Sequence, residues 1–176
     1  MNRRYFLGLA LSAVTAPAFA TKISSEKARL LCLRNAHTDE RIRIAYRIGA
    51  SYQRDSLAKL NHFLRDHRNG ESTYMDPKLF DLLYDLQGRI HGEECEIEVF
   101  SGYRSPNSNA QLRRASKRVA RNSYHISGMA IDVSFEGCSN SRLREAAIDL
   151  GRGGVGSYGR SSFVHLDTGP VRTWRA

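Results

Sequence analysis

A single domain built from both strands and helices is the fold class this sequence predicts. Ile42, Ile44 and Tyr46 alternate with Arg41, Arg43 and Ala45, which is the two-residue period of a half-buried strand. Elsewhere Leu79, Leu82, Leu83, Leu86 and Ile90 recur at helical spacing and form one apolar stripe. Once a leader is set aside, about 156 of the 176 residues remain, a length that suits one domain around one core.

The leader covers residues 1–20. A short basic start, Met1-Asn2-Arg3-Arg4, is followed by a weakly apolar run from Phe6 to Val14 and then by Ala18-Phe19-Ala20, small residues where signal peptidase needs them. The run is too short and too interrupted to span a membrane. Arg3-Arg4 with Phe6-Leu7 points to the twin-arginine route, which carries folded proteins; the alternative is ordinary export of an unfolded chain. The domain proper is then 21–176.

Its elements follow in order. Lys27 to Ala36 and Glu40 to Ile48 read as a hairpin turned by His37-Thr38-Asp39. Leu57, Leu60, Phe63 and Leu64 mark a helix that Asn69-Gly70 would end. Asp76 as N-cap and Pro77 as first helical residue start the next helix, which stops near Gly92. A strand from Glu96 to Ser101 leads to a helix capped by Asn107 and running to about Val119. Arg113, Arg114, Lys117, Arg118 and Arg121 make this region very basic. Met129 to Phe135 is a strand with Met129, Ile131, Val133 and Phe135 on one face and Ala130, Asp132 and Ser134 on the other. A helix from Ser141 to Leu150 ends near Gly151, and Gly153–Tyr158 and Phe163–Asp167 close the domain as strands.

The formal charge is +9, or about +7 without Arg3 and Arg4. A basic exported protein meets something anionic: cell wall, phospholipid head groups or nucleic acid. The chain has no aromatic-and-basic recognition motif and no Gly-rich phosphate loop, so nucleic acid is not the expected partner. No second long apolar run follows the leader, so no stable membrane insertion is expected after cleavage, and a monomer is expected. The three cysteines allow at most one internal disulfide in an oxidising compartment. Cys32 reads as a buried apolar strand residue, and Cys95 with Cys138 as a weak candidate pair.

The chemistry concentrates in two places. Ser123-Tyr124-His125-Ile126-Ser127-Gly128-Met129-Ala130-Ile131-Asp132 and Phe163-Val164-His165-Leu166-Asp167 together offer two imidazoles and a carboxylate. Strand alternation puts Phe163, His165 and Asp167 on one face, and Asp132 projects from the polar face of its own strand. If these faces border one cleft, His165 and Asp132 converge, and His125 reaches them from a loop that Gly128 lets turn tightly. Such a set is compatible with zinc, and three protein ligands leave a position open, as catalytic zinc requires. His62, His67 and His91 read as surface or packing residues.

Longer runs carry a resemblance. Ser101-Gly102-Tyr103-Arg104-Ser105-Pro106, Ser123-x-His125-x-x-Gly128-x-Ala130-x-Asp132, Gly153-Gly154-Val155-Gly156 and Phe163-Val164-His165-x-Asp167-x-Gly169-Pro170-Val171-Arg172-x-Trp174 resemble the YcbK-like murein endopeptidases. These lie within the zinc D-Ala-D-Ala carboxypeptidase and Hedgehog-fold peptidase group. The likeness extends through Asn35-Ala36-His37-Thr38 and His62-Phe63-Leu64-Arg65-Asp66-His67, and so covers nearly the whole mature chain.

The resemblance implies an α+β fold of the Hedgehog/DD-peptidase type, with a central antiparallel sheet and flanking helices. It implies zinc (Zn2+) held by His125, Asp132 and His165, and a periplasmic enzyme that cuts an amide in peptidoglycan stem peptides or cross-links. Arg104 matches an arginine placed near the substrate's carboxylate or carbonyl, a role its planar charged fork suits, a structural salt bridge being the alternative. Tyr103 and Ser123, in the same matched runs, are assigned to substrate binding. Many relatives in the wider group carry an acid three residues before the second histidine ligand; here that residue is Ser162, a poor base. Asp167 is then the nearest acid by strand geometry, as general base or else as the group that orients a metal-bound imidazole. Endopeptidase and carboxypeptidase action stay open on spacing alone. A zinc-containing wall-binding module without turnover is the alternative to an enzyme.

Overall fold

The computed structural model describes residues 27–92, 94–116, 119–158 and 161–175. The expected leader over 1–20 lies outside the described residues. The elements are β1 (Ala28–Asn35), β2 (Arg41–Ile48), β3 (Ser51–Tyr52), α1 (Arg54–Phe63), α2 (Pro77–His91), β4 (Glu96–Ser101), α3 (Pro106–Ala115), β5 (Ala130–Phe135), α4 (Asn140–Leu150), β6 (Gly154–Ser157), β7 (Val164–Asp167) and β8 (Arg172–Arg175).

All eight strands join one sheet in the order β3-β2-β1-β4-β5-β7-β6-β8. The class is α+β, but the sheet is mixed. β1 pairs with β4, and β6 with β8, in parallel, while the β4–β5, β5–β7 and β7–β6 pairs are antiparallel. The two short strands β3 and β8 escape a periodicity reading. Each is no longer than four residues, and each is strand only because a distant partner supplies its hydrogen bonds.

The core lies on one face of this sheet. Ile97 sits opposite Phe135, Val99 opposite Val133, Ile131 opposite Leu166 and Val155 opposite Leu166, and all of them are buried. Leu79, Leu83 and Leu86 of α2 and Leu143 and Ala147 of α4 close over that face. Alternation then sends Asp132, Ser134 and His165 to the other face. The core face and the candidate site are therefore two sides of the same strands.

Local chemistry sets the helix ends. Asp76 caps α2 by accepting from the Lys78 N–H at 3.0 Å, and Gly92 ends it in the left-handed conformation. α1 stops at Phe63, before the expected Asn69-Gly70, which instead belongs to a separate turn whose Asn69 and Gly70 N–H groups bond the Asp66 carbonyl. The start of α3 differs too. Ser105, not Asn107, is the cap, accepting from Ser108 N–H at 3.1 Å, because Pro106 occupies the first helical position. The helix ends at Ala115. Cys32 lies in β1 but is only partly buried, its thiol 3.4 Å from the Glu94 carboxylate. Cys95 and Cys138 are free thiols packed at the margin of the core.

Candidate metal centre and cleft

His125, Asp132 and His165 converge. Asp132 and His165 face each other across the β5–β7 ladder, and His125 comes from the Ser123–Met129 turn just before β5. That turn is pinned at both ends: Asp76 N–H donates to Gly128 O at 2.9 Å and Arg104 N–H to His125 O at 3.2 Å. Gly128 has φ +67°, and a Cβ there would stand 2.3 Å from the Tyr74 carbonyl oxygen, so no other residue fits without moving the turn.

The three inward atoms are His125 Nε2, His165 Nδ1 and Asp132 Oδ1. Their separations are 3.2 Å (His125–His165), 2.9 Å (His165–Asp132) and 3.3 Å (His125–Asp132). Tetrahedral zinc with bonds of about 2.0–2.1 Å needs donor atoms about 3.3–3.4 Å apart. The triangle is close to that size, and all three residues are buried.

The outer nitrogens settle the tautomers. His125 Nδ1 lies 2.7 Å from Gly102 O, which can only accept, so Nδ1 carries the hydrogen. His165 Nε2 lies 3.0 Å from Asp167 Oδ2 and donates to it. A neutral ring in each case therefore turns a lone pair inward. Three acceptors this close repel one another unless a proton or a cation stands among them. Burial alone would lower His165, but its hydrogen bonds to Asp132 and Asp167 push it up to about 9. Burial instead takes His125 below its ordinary value against the pull of Asp132. Asp132 is held well below the carboxylate range: the two histidines outweigh the effect of its burial.

Asp167 shares the β7 face with His165, but none of it reaches the cleft. It is fully buried. Oδ1 accepts from Gly154 N–H at 3.1 Å, Gly169 N–H at 2.9 Å and Arg172 Nη1 at 3.0 Å, and Oδ2 accepts from Arg172 Nη2 at 2.7 Å and from His165. A carboxylate with its lone pairs so occupied is badly placed to take a proton from water, so the geometry disagrees with the base role and agrees with orientation of His165. Arg172 is itself sandwiched between the Tyr124 and Trp174 rings, each 5.0 Å away.

A pocket opens over the triangle, walled by Arg104, Val119, Ala120, Ser123, Tyr158 and Phe163. Asp132 is the only carboxylate among these described lining residues. Among the described residues the Arg104 guanidinium makes only long contacts, 3.4 Å to Asn109 Oδ1, 3.4 Å to Ser101 Oγ and 3.7 Å to Asp132 Oδ2, and its buried Nε has no partner. Ser123 lines the pocket; Tyr103 does not, and packs instead against the core with its N–H on Leu64 O. Beneath Arg104, fully buried Asp66 receives Ser105 N–H at 2.9 Å and fixes the entry to α3.

A sequence model described as peptidoglycan L,D-endopeptidase MepK matches residues 23–174. The chain belongs to this family. It is similar to the peptidoglycan L,D-endopeptidase MepK of Escherichia coli (strain K12), with 47% identity across 98% of this chain and 97% of that protein. It is also 40% identical to the probable peptidoglycan L,D-endopeptidase MepK of Haemophilus influenzae, across 99% of this chain and 96% of the relative. Family membership accords with the resemblance carried by the Arg104, His125–Asp132 and His165 runs. Those runs contained Arg172 and Trp174 without a role for either, and Tyr158 was read only as the end of a strand. Their parts depend on β8 lying beside β6, which local sequence does not announce.

Proposed function

We propose that this chain is an exported zinc metallopeptidase that hydrolyses an L,D amide bond in peptidoglycan, acting in the periplasm once its leader is removed. The names of its relatives support the substrate, and one observation supports the metal: both histidines donate their outer N–H, so that the neutral rings aim two imidazole lone pairs and the carboxylate at one point. The mixed sheet carrying that set on its open face is consistent with a Hedgehog/DD-peptidase-like fold. No helix among the described residues is long and apolar enough to cross a membrane.

Zinc bound by His125, Asp132 and His165 would supply Lewis acidity, polarising a carbonyl and making water a better nucleophile at neutral pH. The protein's own groups do the rest. The Gly102 carbonyl and the Asp167–Arg172 pair hold the two rings in their ligand tautomers. Arg104, desolvated and short of partners, offers its fork to a substrate carboxylate or carbonyl oxygen. Ser123 adds a hydroxyl, and Phe163, packed on Phe100 at 5.5 Å, supplies an apolar wall. Asp167 acts through His165 rather than as the base.

The second reading, a metal-holding wall-binding module without turnover, draws on one observation: among the described lining residues no carboxylate other than Asp132 is available to act as a base. Purified mature protein incubated with cross-linked muropeptides, with and without chelator, separates the two. Fragments with new amino termini, identified by mass spectrometry and lost with chelator, are expected. Intact muropeptides at one bound zinc per chain would sink the hydrolase reading. His125→Ala and His165→Ala should lose zinc and activity together.

A further inference from the structure

Tyr158 stands one residue past β6, on the wall of the pocket that contains the metal triangle. It is partly buried and held from two sides. Its carbonyl accepts from the Ser161 N–H and from the Ser161 hydroxyl, each at 2.9 Å, which fixes the backbone. Its ring packs on Phe163 with centroids 5.9 Å apart. The nearby Trp174 indole offsets part of the rise that burial gives its hydroxyl pKa.

Trp174 is fixed in turn. It lies against Gly156, where a Cβ would come within 2.3 Å of the indole ring, and its centroid is 5.2 Å from that of His165. Gly156 is also the β6 residue opposite His165. Tyr158 thus follows directly on the strand whose Gly156 faces the candidate ligand His165. Among the described residues, its own O–H donates to no protein acceptor. A half-buried phenol held by its ring and backbone, with its hydroxyl hydrogen uncommitted, beside Arg104 in a metal-site pocket, has one evident kind of partner: an acceptor oxygen on the substrate.

We propose that the Tyr158 hydroxyl is a catalytic hydrogen-bond donor, which together with Arg104 binds the carbonyl oxygen of the scissile amide as that oxygen gains negative charge. This rests on the hydrolase reading above. The phenol keeps its proton throughout, so no bond to hydrogen is broken at Tyr158. Burial, with the nearby Asp132 and Asp167 charges, keeps it above its ordinary value, which suits a donor and not a base. A donor aimed at developing charge acts on turnover more than on substrate binding.

The test is Tyr158→Phe, which keeps the ring and removes only the hydroxyl. Turnover on a cross-linked muropeptide is expected to fall about 100- to 1,000-fold, with KM changed by less than about threefold. Zinc content by atomic absorption and the thermal midpoint should match wild type. Affinity for a phosphinate analogue of the scissile amide, whose charged oxygen imitates the carbonyl oxygen in the transition state, should drop by the same factor as kcat/KM. Turnover within about threefold of wild type would overturn the proposal, as would loss of zinc or of thermal stability in step with activity, since that is structural. Wild-type protein inert toward muropeptides would instead fail the hydrolase reading, and this proposal with it.

Discussion

Asp167→Asn separates the two roles open to that residue, because the structure dictates how an amide must behave there. Five donors converge on the two carboxylate oxygens: two backbone N–H groups, two Arg172 nitrogens and His165 Nε2. An asparagine oxygen satisfies the backbone pair at Oδ1, which places the NH2 where Oδ2 stood. That group meets His165 Nε2, 3.0 Å away in the native protein. Two donors cannot face each other, so the imidazole must shift its hydrogen to Nδ1. Nδ1 is the atom in the metal triangle, 2.9 Å from Asp132 Oδ1, and a protonated nitrogen is no ligand. Loss of such a supporting contact typically weakens a metal site about 10- to 100-fold, or about 1.4–2.7 kcal/mol. A chromophoric chelator competing for zinc reads this directly. Zinc Kd is expected to rise by that factor, and excess zinc should restore much of the activity. Unchanged zinc affinity, with activity lost even at saturating zinc, would refute the reasoning and return Asp167 to the role of base.

Arg104→Ala should cut turnover about 100-fold with zinc still bound, checked by metal analysis beside a muropeptide assay, since the guanidinium approaches Asp132 no closer than 3.7 Å. Asp81→Asn should lower stability by about 2–4 kcal/mol in urea titrations. That side chain receives Tyr46 OH at 2.9 Å, Tyr52 OH at 2.6 Å, Arg29 at 3.1 Å and Arg47 at 2.9 Å, and ties α2 to β1, β2 and β3. Burial would raise the Asp81 pKa, but hydrogen bonds from Tyr52, Tyr46 and Arg47 prevail and hold it below the usual carboxylate range. Its stabilisation is therefore complete above the unfolded value of about 4 and disappears as pH falls through the folded one. Acid titration of stability should be shallower in the variant. Gly128→Ala should cost at least about 2 kcal/mol and weaken zinc binding, because a left-handed residue would be driven against the Tyr74 carbonyl in the turn that presents His125. Equal denaturation midpoints for variant and wild type would contradict this.

Much of the scaffold was legible from local chemistry. The Asp76-Pro77 start of α2, its leucine stripe and the two-residue alternation of β2 and β5 each follow from interactions within a few residues. The convergence of Asp132 and His165 was legible as well, because β5 and β7 each put a metal-binding type on the face opposite an apolar row. Contacts between distant segments lie behind the misreadings. Ser105 took the cap from Asn107 with Pro106 behind it at the first helical position, and Asp66, far away in the chain, fixes Ser105 N–H. Tyr103 turned to the core because its N–H is held by Leu64. β8 became a strand because β6 was there to pair with it.

By itself the sequence determined which side chains could serve as metal ligands and which strand faces would be dry, since alternation is a property of the extended chain and needs no partner. Tertiary structure alone decided what stands behind each candidate ligand. The Gly102 carbonyl behind His125, and Asp167 clamped by Arg172 behind His165, are contacts between segments whose approach depends on the register of β5, β6 and β7 and on the parallel docking of β8. That register is set by burial of the opposite, apolar face. The core therefore orients the chemistry on the open face.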